Sequence, residues 1–392
     1  MGRALSDADV HEIRKALKET NGGISAAKRL LAERGYDFSY GTIWNVKSGV
    51  KKPSNEEDPL TLQAKLSYME AKNRSLAQQI SVQKRRLGEA LEFRDNLLAN
   101  VKALVNAKPV KRKRKTEKSS GDVVAGIVLS DWHIGEIIRK EDMEGINKFD
   151  FEIAKRRIST LIRNFLDWVD VQRKAYTIDD LYVFCLGDFI SGGIHDELVR
   201  TAEFPIPVQI AKAGELMVQV IKSFSGAFNH VYVEELIPDN HARLWVKRYF
   251  KQRGLSSYNY LLYGLVNSAL EGYENVVFHL YESDKAVVDV KGMRVLIEHG
   301  DRVRGWVGIP YYGIEREEGK EARKRMVIED RYDLRLMGHF HTCIIGTDWQ
   351  WAINGSLTGM SELGSMYVRP SQLSFLLHTK KKLMFNPVKW DL

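Results

Sequence analysis

The sequence predicts a layered α/β body preceded by a small helical head and a long coiled coil. Three patterns predict this organisation: helical spacing of apolar residues in 6–49, a heptad repeat in 62–104, and alternation of β-rich runs with amphipathic helices beyond residue 122. A chain of 392 residues is long enough for two or three domains. We expect the boundaries to be 1–50 for the head, 60–106 for the coiled coil, 107–121 for a basic linker and 122–392 for the body.

The excess positive charge of the chain lies in its first third. Residues 1–120 contain 25 Lys and Arg against 14 Asp and Glu, whereas the remaining residues hold 34 against 37. Because the formal net charge is only +8, the excess belongs entirely to the head, the coil and the linker. A basic segment attached to a nearly neutral body is typical of a module that binds a polyanion, most often a nucleic acid.

The chain has two cysteines, Cys185 and Cys343, and no apolar run long enough for a signal peptide or a membrane span. One disulfide at most cannot serve as a scaffold, so a reducing compartment is expected. We therefore expect a cytoplasmic protein with no membrane partner.

The head is predicted to contain three short helices, with Ser6 or Asp7, Ser25 and Ser39 as their N-caps. Three short helices separated by a glycine-containing break resemble a helix-turn-helix DNA-binding domain, in which the last helix enters the major groove. That resemblance makes four residues candidate base or phosphate contacts: Tyr40, Thr42, Asn45 and Lys47. A small helical docking module is the alternative.

A heptad repeat runs from Leu62 to Leu104 without a proline. A period of about 3.5 residues held over this length is typical of a coiled coil rather than of a surface helix. Asn73 lies on the seam, where a buried polar residue fixes the register and favours a dimer, so we expect a homodimer. The alternative is a helix folded back onto its own chain.

A run of basic residues follows the coil and includes Lys111, Arg112, Lys113 and Arg114. Such a run is commonly a solvated linker. It could equally bind DNA phosphates, or serve as a nuclear localisation signal in a eukaryote. We keep the four residues as candidate DNA contacts.

Six runs in the body have the pattern of strands, and two longer segments have the pattern of amphipathic helices. The predicted helices are 150–173 and 206–224. The predicted strands are Val123–Leu129, Leu181–Leu186, Val231–Leu236, Val276–Leu280, Met293–Glu298 and Leu334–Met337. Alternation of this kind indicates a layered α/β domain.

Side chains able to bind metal follow five of these strands. The five groups are Ser130-Asp131-Trp132-His133, Gly187-Asp188, Asp239-Asn240-His241, Glu298-His299-Gly300-Asp301 and Gly338-His339-Phe340-His341. Strand ends are where an open α/β sheet gathers its site, because loops at one edge can converge. Five motifs in this order resemble those of the calcineurin-like metallophosphoesterase superfamily, over residues 122–360. Within it, the chain is similar to double-strand-break repair nucleases and to their phage-encoded relatives.

The resemblance implies a two-sheet sandwich flanked by helices and a site for two divalent ions. Asp131, His133 and His341 would hold one ion, Asn240, His299 and His339 the other, and Asp188 would bridge them. Two ions held about 3.5–4 Å apart activate a water that attacks phosphorus in line. Mn²⁺ is the expected ion by family resemblance, with Mg²⁺, Fe²⁺ and Zn²⁺ as alternatives.

His241 lies outside both ligand sets, and by the same analogy it would contact the phosphate and stabilise or protonate the leaving oxygen. Its surroundings depart from the family motif, because Asp239 stands in place of the expected glycine and Ala242 in place of the expected acid. That acid would normally orient the imidazole, so its loss removes the expected partner of His241. His195 could contact the leaving group instead, or it could be a surface histidine.

Basic residues alternate with aromatic residues directly after the third motif, from Arg243 to Arg253. Beside a phosphate site this pattern is typical of a nucleic-acid track, in which cations contact phosphates and rings stack on bases. Arg243, Lys247 and Arg248 are the candidate DNA contacts. The alternative is a helix face whose aromatic residues belong to the core.

The parts together predict a metal-dependent DNA nuclease, an endonuclease or nickase that acts as a coiled-coil dimer with paired DNA-binding heads. Its expected location is the cytoplasm of a bacterium or of a phage-infected host cell. Two alternatives remain. One is a phosphatase or small-nucleotide phosphodiesterase that the head targets or regulates, and the other is a non-catalytic DNA-binding adaptor.

Overall fold

The structure is a computed structural model, and it describes residues 5–49, 63, 66–81, 84, 88, 123–303, 311–346, 350–362, 369–378 and 382–390. The chain divides into two compact units, residues 1–86 and 87–392. No helix in the described ranges is both long enough and apolar enough to cross a membrane.

Three helices pack around a small apolar core near the start of the chain: α1 (Asp7–Glu19), α2 (Ile24–Glu33) and α3 (Tyr40–Lys47). Ser6 caps α1 and Ser39 caps α3, as the sequence predicts, because each side chain accepts a backbone N–H of the first turn. Ser25 does not cap α2, whose N-cap residue is Gly23. Ile24 packs against the core, so the helix begins before Ser25, which is exposed. The buried core residues are Ile13, Ala16, Leu17, Ala27, Leu31 and Ile43.

Residues 66–81 form a helix, α4, as the heptad repeat predicts for this part of the chain. Its seam residues Leu66, Met69, Leu76 and Ile80 are between 45% and 61% exposed in the single chain. The helix therefore presents an uncovered apolar stripe. Apart from residues 63, 84 and 88, the rest of the predicted coil lies outside the described residues, and so does the linker with Lys111, Arg112, Lys113 and Arg114.

Eleven strands and five helices make up the described part of the body. The strands are β1 (Val123–Leu129), β2 (Ile178–Cys185), β3 (His230–Leu236), β4 (Val276–Tyr281), β5 (Lys285–Val290), β6 (Met293–Glu298), β7 (Leu334–Met337), β8 (Ile344–Ile345), β9 (Trp351–Ile353), β10 (Ser371–His378) and β11 (Lys382–Lys389). The helices are α5 (Phe151–Gln172), α6 (Asp196–Thr201), α7 (Ile206–Ser225), α8 (Tyr258–Ala269) and α9 (Tyr311–Val327). The six predicted strands and the two predicted helices are all present, with small shifts at their ends.

The strands form two sheets. One has the order β11-β10-β1-β2-β3-β4, in which β1 to β4 are parallel and β10 and β11 add in antiparallel fashion. The other has the order β5-β6-β7-β9-β8, with the parallel strands β6, β7 and β9 at its centre. Parallel neighbours bring the carboxyl ends of several strands to one edge of each sheet.

The central strand β1 is buried on both faces, because it lies between two apolar cores. Ile127 and Leu129 belong to the core shared with α5, α7 and α8. Val124 and Val128 belong to a second core, which contains residues of β6 and β7. The two sheets therefore pack face to face, with helices on the outer side of the six-stranded sheet. The prediction of a two-sheet α/β fold with flanking helices is confirmed at this level.

Candidate metal centre

Turns at the carboxyl ends of strands are tied together by backbone hydrogen bonds. The N–H of Asp131, after β1, donates to the carbonyl oxygen of Gly187, after β2, at 3.0 Å. In the second sheet the N–H of Gly338 donates to the carbonyl oxygen of His299 at 2.9 Å. The N–H of His339 donates to Asp131 Oδ1 at 3.0 Å and so links the turns of the two sheets. Motifs far apart in the sequence therefore meet at one edge.

The structure brings the predicted ligands together in three overlapping groups. Within each group the potential ligand atoms lie within 4.8 Å of one another. The groups are Asp131, His133 and His341; His133, Asp188 and His241; and Asp188, His299 and His339. The remaining predicted ligand, Asn240, joins this cluster through its Oδ1, which lies 2.9 Å from His299 Nε2.

Asp188 lies between the two ends of the cluster. At one end, the Nε2 atoms of His133 and His341 are 3.0 Å apart, and His341 Nε2 lies 3.6 Å from Asp131 Oδ1. At the other end, Asp188 Oδ2 lies 3.1 Å from His299 Nε2. The same Oδ2 atom is 4.0 Å from His133 Nε2, so this carboxylate faces both ends.

Backbone strain is concentrated in the same residues. Ten non-glycine residues in the described ranges have a positive φ, and five of them are predicted ligands. The five are Asp131 (55°), His133 (46°), Asp188 (51°), His339 (71°) and His341 (57°). A left-handed backbone costs an ordinary side chain on the order of 1 kcal/mol or more, and such strain clusters at functional sites. The backbone thus supports the cluster as a functional site independently of its side-chain chemistry.

The charge interactions of the cluster centre on Asp188. Burial by itself would raise the pKa of this carboxyl, but the neighbouring charges of His299 and His241 outweigh burial and hold the pKa well below its ordinary value. For His299, burial by itself would lower the pKa, but the Asp188 carboxylate raises the pKa well above its ordinary value. Asp188 and His299 therefore form a buried ion pair in the protein alone.

Burial shifts the other ligands toward their uncharged forms. It lowers the pKa of His339 to about 3 and the pKa of His341 to about 4. It also lowers the pKa of His133 well below the ordinary value, and it raises the pKa of Asp131 to about 7. A neutral imidazole with a free ring nitrogen is the form of histidine that binds a metal.

This donor set fits divalent cations. The Nε2 atoms of His133, which is buried, and of His341, which is half-buried, lie 3.0 Å apart, an arrangement that is unfavourable unless a proton or a cation lies between them. Imidazole nitrogens combined with carboxylate and amide oxygens suit Mn²⁺, Fe²⁺ and Zn²⁺.

His241 has a backbone partner in place of the expected acid. Its Nδ1 lies 2.7 Å from the carbonyl oxygen of Ser191, so Nδ1 donates and Nε2 is left free. Gly192 permits this approach, because at its φ of 68° an added Cβ would lie 2.0 Å from the carbonyl oxygen of His241. The rings of His241 and His133 are 4.5 Å apart between centroids. The imidazole is therefore oriented beside the cluster although Ala242 is not an acid.

Asp239, in place of the expected glycine, organises the turns around the cluster. Its Oδ2 accepts the N–H of Asp188 and the Nδ2 of Asn259, both at 2.7 Å. Its Oδ1 accepts the N–H of Ala242, also at 2.7 Å. Gly187 leaves room for this carboxylate, because at its φ of 92° an added Cβ would lie 2.7 Å from Asp239 Cβ. Burial raises the pKa of Asp239 to about 6, and the charge of Asp188 adds to the rise.

Two residues beside the cluster, Glu136 and Ser130, were not predicted as ligands or catalytic residues. Glu136 Oε2 lies 3.7 Å from His133 Nδ1, a buried nitrogen with no hydrogen-bond partner in the described part of the chain. Ser130 Oγ donates to Asp131 Oδ2 and accepts the Nδ2 of Asn354 at 2.8 Å. Their closeness in sequence to a predicted ligand is the only signal that could have pointed to them.

His195 borders the cluster without entering it. The residue is exposed, and its ring centroid lies 6.2 Å from that of His241. It is the N-cap residue of α6, but its side chain makes no capping hydrogen bond. The three groups of potential metal ligands do not include it.

The predicted DNA contacts in α3 differ in their solvent exposure. Tyr40 and Lys47 are exposed, whereas Thr42 and Asn45 are half-buried. Lys47 Nζ donates to the carbonyl oxygen of Gly22 at 2.7 Å, so this cation already has a partner within the head.

The segment that carries Arg243, Lys247 and Arg248 is not a helix, and its aromatic residues are exposed. The alternative of a helix face with core aromatics is therefore wrong. Lys247 is exposed, and the guanidinium of Arg248 donates to the Asp301 carboxylate at 3.0 Å.

No family model matches the chain, and no curated protein matches it. Among solved structures, an archaeal phosphodiesterase is similar at 15% identity, over 67% of this chain and 99% of its own, with a TM-score of 0.31. Vps29 of Entamoeba histolytica, solved with Zn²⁺, is similar at 12% identity, over 68% and 98%, with a TM-score of 0.26. A predicted phosphoesterase of Streptococcus pneumoniae is similar at 10% identity, over 45% and 91%, with a TM-score of 0.24. Sequence identities of 10–15% and TM-scores of 0.24–0.31 do not indicate a function, whereas the geometry of the centre does.

Proposed function

We propose that the chain is a metal-dependent phosphodiesterase that cuts DNA, as an endonuclease or nickase. The observation that carries this proposal is the position of Asp188, which belongs to two groups of potential metal ligands. A carboxylate shared by two sets of nitrogen and oxygen ligands can hold two divalent ions close together, and such pairs serve phosphoryl chemistry.

In this proposal Asp131, His133 and His341 would hold one ion and Asn240, His299 and His339 the other, with Asp188 available to both. Mn²⁺ is the proposed ion, and the same donors would accept Mg²⁺, Fe²⁺ or Zn²⁺. When bound, the ions would supply Lewis-acid activation of a water and of the phosphate. Because the ligand atoms converge from both sheets, the two ions would lie at one edge of the body, and the phosphate would bind beside them.

His241 is proposed to hold the proton that the leaving oxygen takes up. The Ser191 carbonyl occupies Nδ1–H, so Nε2 is the atom that faces the phosphate. Asp239 supports this geometry by accepting the N–H of Ala242, the residue next to His241. His195 is proposed only as a neighbour that can contact the leaving group.

The proposal that the phosphate belongs to DNA rests on charge and on the head. Residues 1–120 hold 25 Lys and Arg against 14 Asp and Glu, which favours a polyanion. Three short helices around one apolar core are compatible with a helix-turn-helix domain, and we propose α3 as the DNA-reading helix. The apolar stripe of α4 is proposed to join two copies of the chain. Two free cysteines fit the cytoplasmic setting that we propose for this activity.

Supercoiled plasmid tests the proposal. Purified chain with Mn²⁺ should convert it to open circles or linear molecules, and the ratio of these products separates nicking from paired cutting. Asp188→Asn keeps the size of the side chain but removes the shared charge, so this variant should leave the plasmid supercoiled. Chelation of the wild type should have the same effect.

A second assay separates the alternatives. Hydrolysis of para-nitrophenyl phosphate with an intact plasmid would replace the proposal with a phosphatase. Retardation of DNA in a gel without hydrolysis of any phosphoester would replace it with a DNA-binding adaptor.

A further inference from the structure

A loop of arginines and aromatic residues, residues 243–253, borders the candidate metal centre. We call it the arginine–aromatic loop. It contains five Lys and Arg and no carboxylate, and it begins two residues after His241. Its ends meet, because the N–H of Leu244 donates to the carbonyl oxygen of Ser256 at 3.1 Å. This hydrogen bond closes the base of the loop.

Arg253 fastens the arginine–aromatic loop to two of the turns that carry ligands. Its guanidinium donates to the carbonyl oxygen of Asp239, in the third motif, at 2.9 Å. It also donates to the carboxylate of Asp301, which follows the fourth motif, at 2.7 Å. Arg248 donates to the same carboxylate at 3.0 Å. These contacts hold the loop next to the centre.

The arginine–aromatic loop holds three aromatic rings in solvent. Trp245, Tyr249 and Phe250 are 59%, 56% and 64% exposed. Phe250 lies near two guanidinium groups, with the Cζ atoms of Arg248 and Arg302 at 5.3 and 5.4 Å from its ring centroid. Exposed aromatic residues grouped in one short segment are unfavourable for a free surface and are typical of sites that bind a partner. The two guanidinium groups beside Phe250 and the other cations of the loop indicate that the partner is anionic.

We propose that the arginine–aromatic loop binds an unpaired segment of the DNA strand that is cut, with bases stacked on its rings. Lys247 and Lys251 are exposed and have no ion-pair partner in the ranges that the structure describes, so they are available for phosphates. Bases within a duplex present only their edges to a protein, whereas unpaired bases present the faces on which aromatic rings stack. This inference rests on the proposed function and adds to it a preference for DNA that is unpaired at the cut, whether at a gap, a flap, a single-stranded end or an opened region of a supercoiled plasmid.

Fluorescence of 2-aminopurine tests the stacking directly. Full-length protein is mixed, in the presence of a chelator, with a single-stranded oligonucleotide that contains this base, whose emission falls when it stacks. The wild type should quench the emission. Trp245→Ala and Phe250→Ala should lose most of the quenching and bind on the order of tenfold more weakly, because one stacking partner is removed. Both side chains are more than half exposed, so neither substitution opens a cavity.

One matched control and one comparison locate the effect. The control, Tyr176→Ala, removes a 39% exposed ring that precedes β2, at the opposite end of the strand from Asp188, and it should quench like the wild type. The comparison, Trp44→Ala, removes a 52% exposed ring of the proposed DNA-reading helix α3, and it should lose less of the quenching than either loop variant. Equal quenching by all five proteins, or a larger loss in Trp44→Ala than in the loop variants, would overturn the proposal.

Cutting assays separate this inference from the proposed function. With Mn²⁺, the wild type should cut a gapped duplex in preference to a fully paired duplex of the same sequence, and Trp245→Ala should lose that preference through a higher KM. Equal cutting of the two duplexes by the wild type would refute the role of the loop while leaving the nuclease proposal intact. Hydrolysis of bis(para-nitrophenyl) phosphate with no cutting of either duplex would refute the nuclease proposal, and with it the inference.

Discussion

At the scale of single residues, the centre depends on acceptors that hold neighbouring turns in place. Asp239 accepts three N–H donors from Asp188, Asn259 and Ala242. Asp239→Asn places an NH₂ group against one of these donors whichever way the amide is turned. We expect kcat for phosphodiester hydrolysis to fall by about tenfold or more, with a smaller change in KM, because the ligand turn shifts. The free energy of unfolding should fall by about 1–3 kcal/mol.

Steady-state kinetics and urea unfolding measure these two effects. Asp289→Asn is the matched control, because this exposed carboxylate accepts one surface donor, the N–H of Gly292, at 3.0 Å. It should leave both quantities unchanged. A kcat for Asp239→Asn equal to that of the wild type would show that the hydrogen bonds of this carboxylate do not position the centre.

The proposed proton donor is also a prediction at the residue scale. His241→Ala should lower kcat on DNA by about 10²- to 10⁴-fold, because the leaving alkoxide needs a proton. The loss on bis(para-nitrophenyl) phosphate should be much smaller, because nitrophenolate leaves without protonation. His195→Ala, whose ring lies 6.2 Å from that of His241, tests the other candidate, and it should change both rates little if His241 alone protonates the leaving oxygen. An equal loss on both substrates for His241→Ala would indicate a metal ligand instead of a proton donor.

At the scale of elements, a helix or strand could be predicted from the sequence when buried apolar residues stabilise it, and not when polar contacts do. Strand β1 has a continuous apolar run because it is buried on both faces, and its predicted bounds are confirmed. Helix α9 was not predicted, because its buried residues include Glu321 and Arg325 and show no apolar stripe. Strand β10 was missed because its buried residues include Gln372 and Ser374. Elements held by tertiary ion pairs or buried amides carry no periodic signal.

The ion pairs of α9 predict a pH dependence. Burial would raise the pKa of Glu321, but hydrogen bonds from Arg325 and Lys285 outweigh it and lower the pKa to about 2. A lowered pKa stabilises the fold above the unfolded value of 4.5, and this contribution is lost as the pH falls toward 2. Glu321→Gln should therefore lower the free energy of unfolding by about 1–3 kcal/mol near neutral pH.

Urea unfolding at about pH 6 and about pH 3 gives the free energy of unfolding of the variant and of the wild type. The gap between these two free energies should narrow at the lower pH. Glu271→Gln, at an exposed carboxylate after α8, is the control and should show no gap at either pH. A gap that is the same at both pH values would mean that Glu321 acts through its size and not through its charge.

At the scale of the whole molecule, the ligands of the candidate centre could be predicted from the sequence, but the hydrogen bonds that position its side chains could not. Asp131 and Asp188 lie just past the ends of the parallel neighbours β1 and β2, so their convergence follows from a parallel sheet. His299 follows β6 in the other sheet, so its approach to them depends on how the two sheets pack. The carbonyl oxygen of Ser191 that orients His241 is a backbone atom, 50 residues away in the chain. Because every residue has a backbone carbonyl oxygen, the sequence does not show which one accepts the hydrogen bond of His241. The sequence could indicate only that the expected acid was missing.

The assembly of the chain is the remaining prediction at this scale. If the stripe of α4 joins two copies, Leu76→Glu should place two charges in the seam and convert a dimer to a monomer, as measured by sedimentation of the full chain. Each monomer would carry one head, so binding to duplex DNA should weaken by about 10²-fold or more through loss of avidity. Hydrolysis of bis(para-nitrophenyl) phosphate needs no head and should be unchanged.

Tyr68→Glu is the control, because Tyr68 is exposed on the same helix but lies off the seam. It should leave the dimer and its affinity intact. A wild type that sediments as a monomer would contradict the coiled coil. A Leu76→Glu monomer that binds duplex DNA as tightly as the wild-type dimer would place the phosphate contacts outside paired heads. The arginine–aromatic loop would then be the main DNA-binding surface, and the head would be left with the docking role that its three helices also permit.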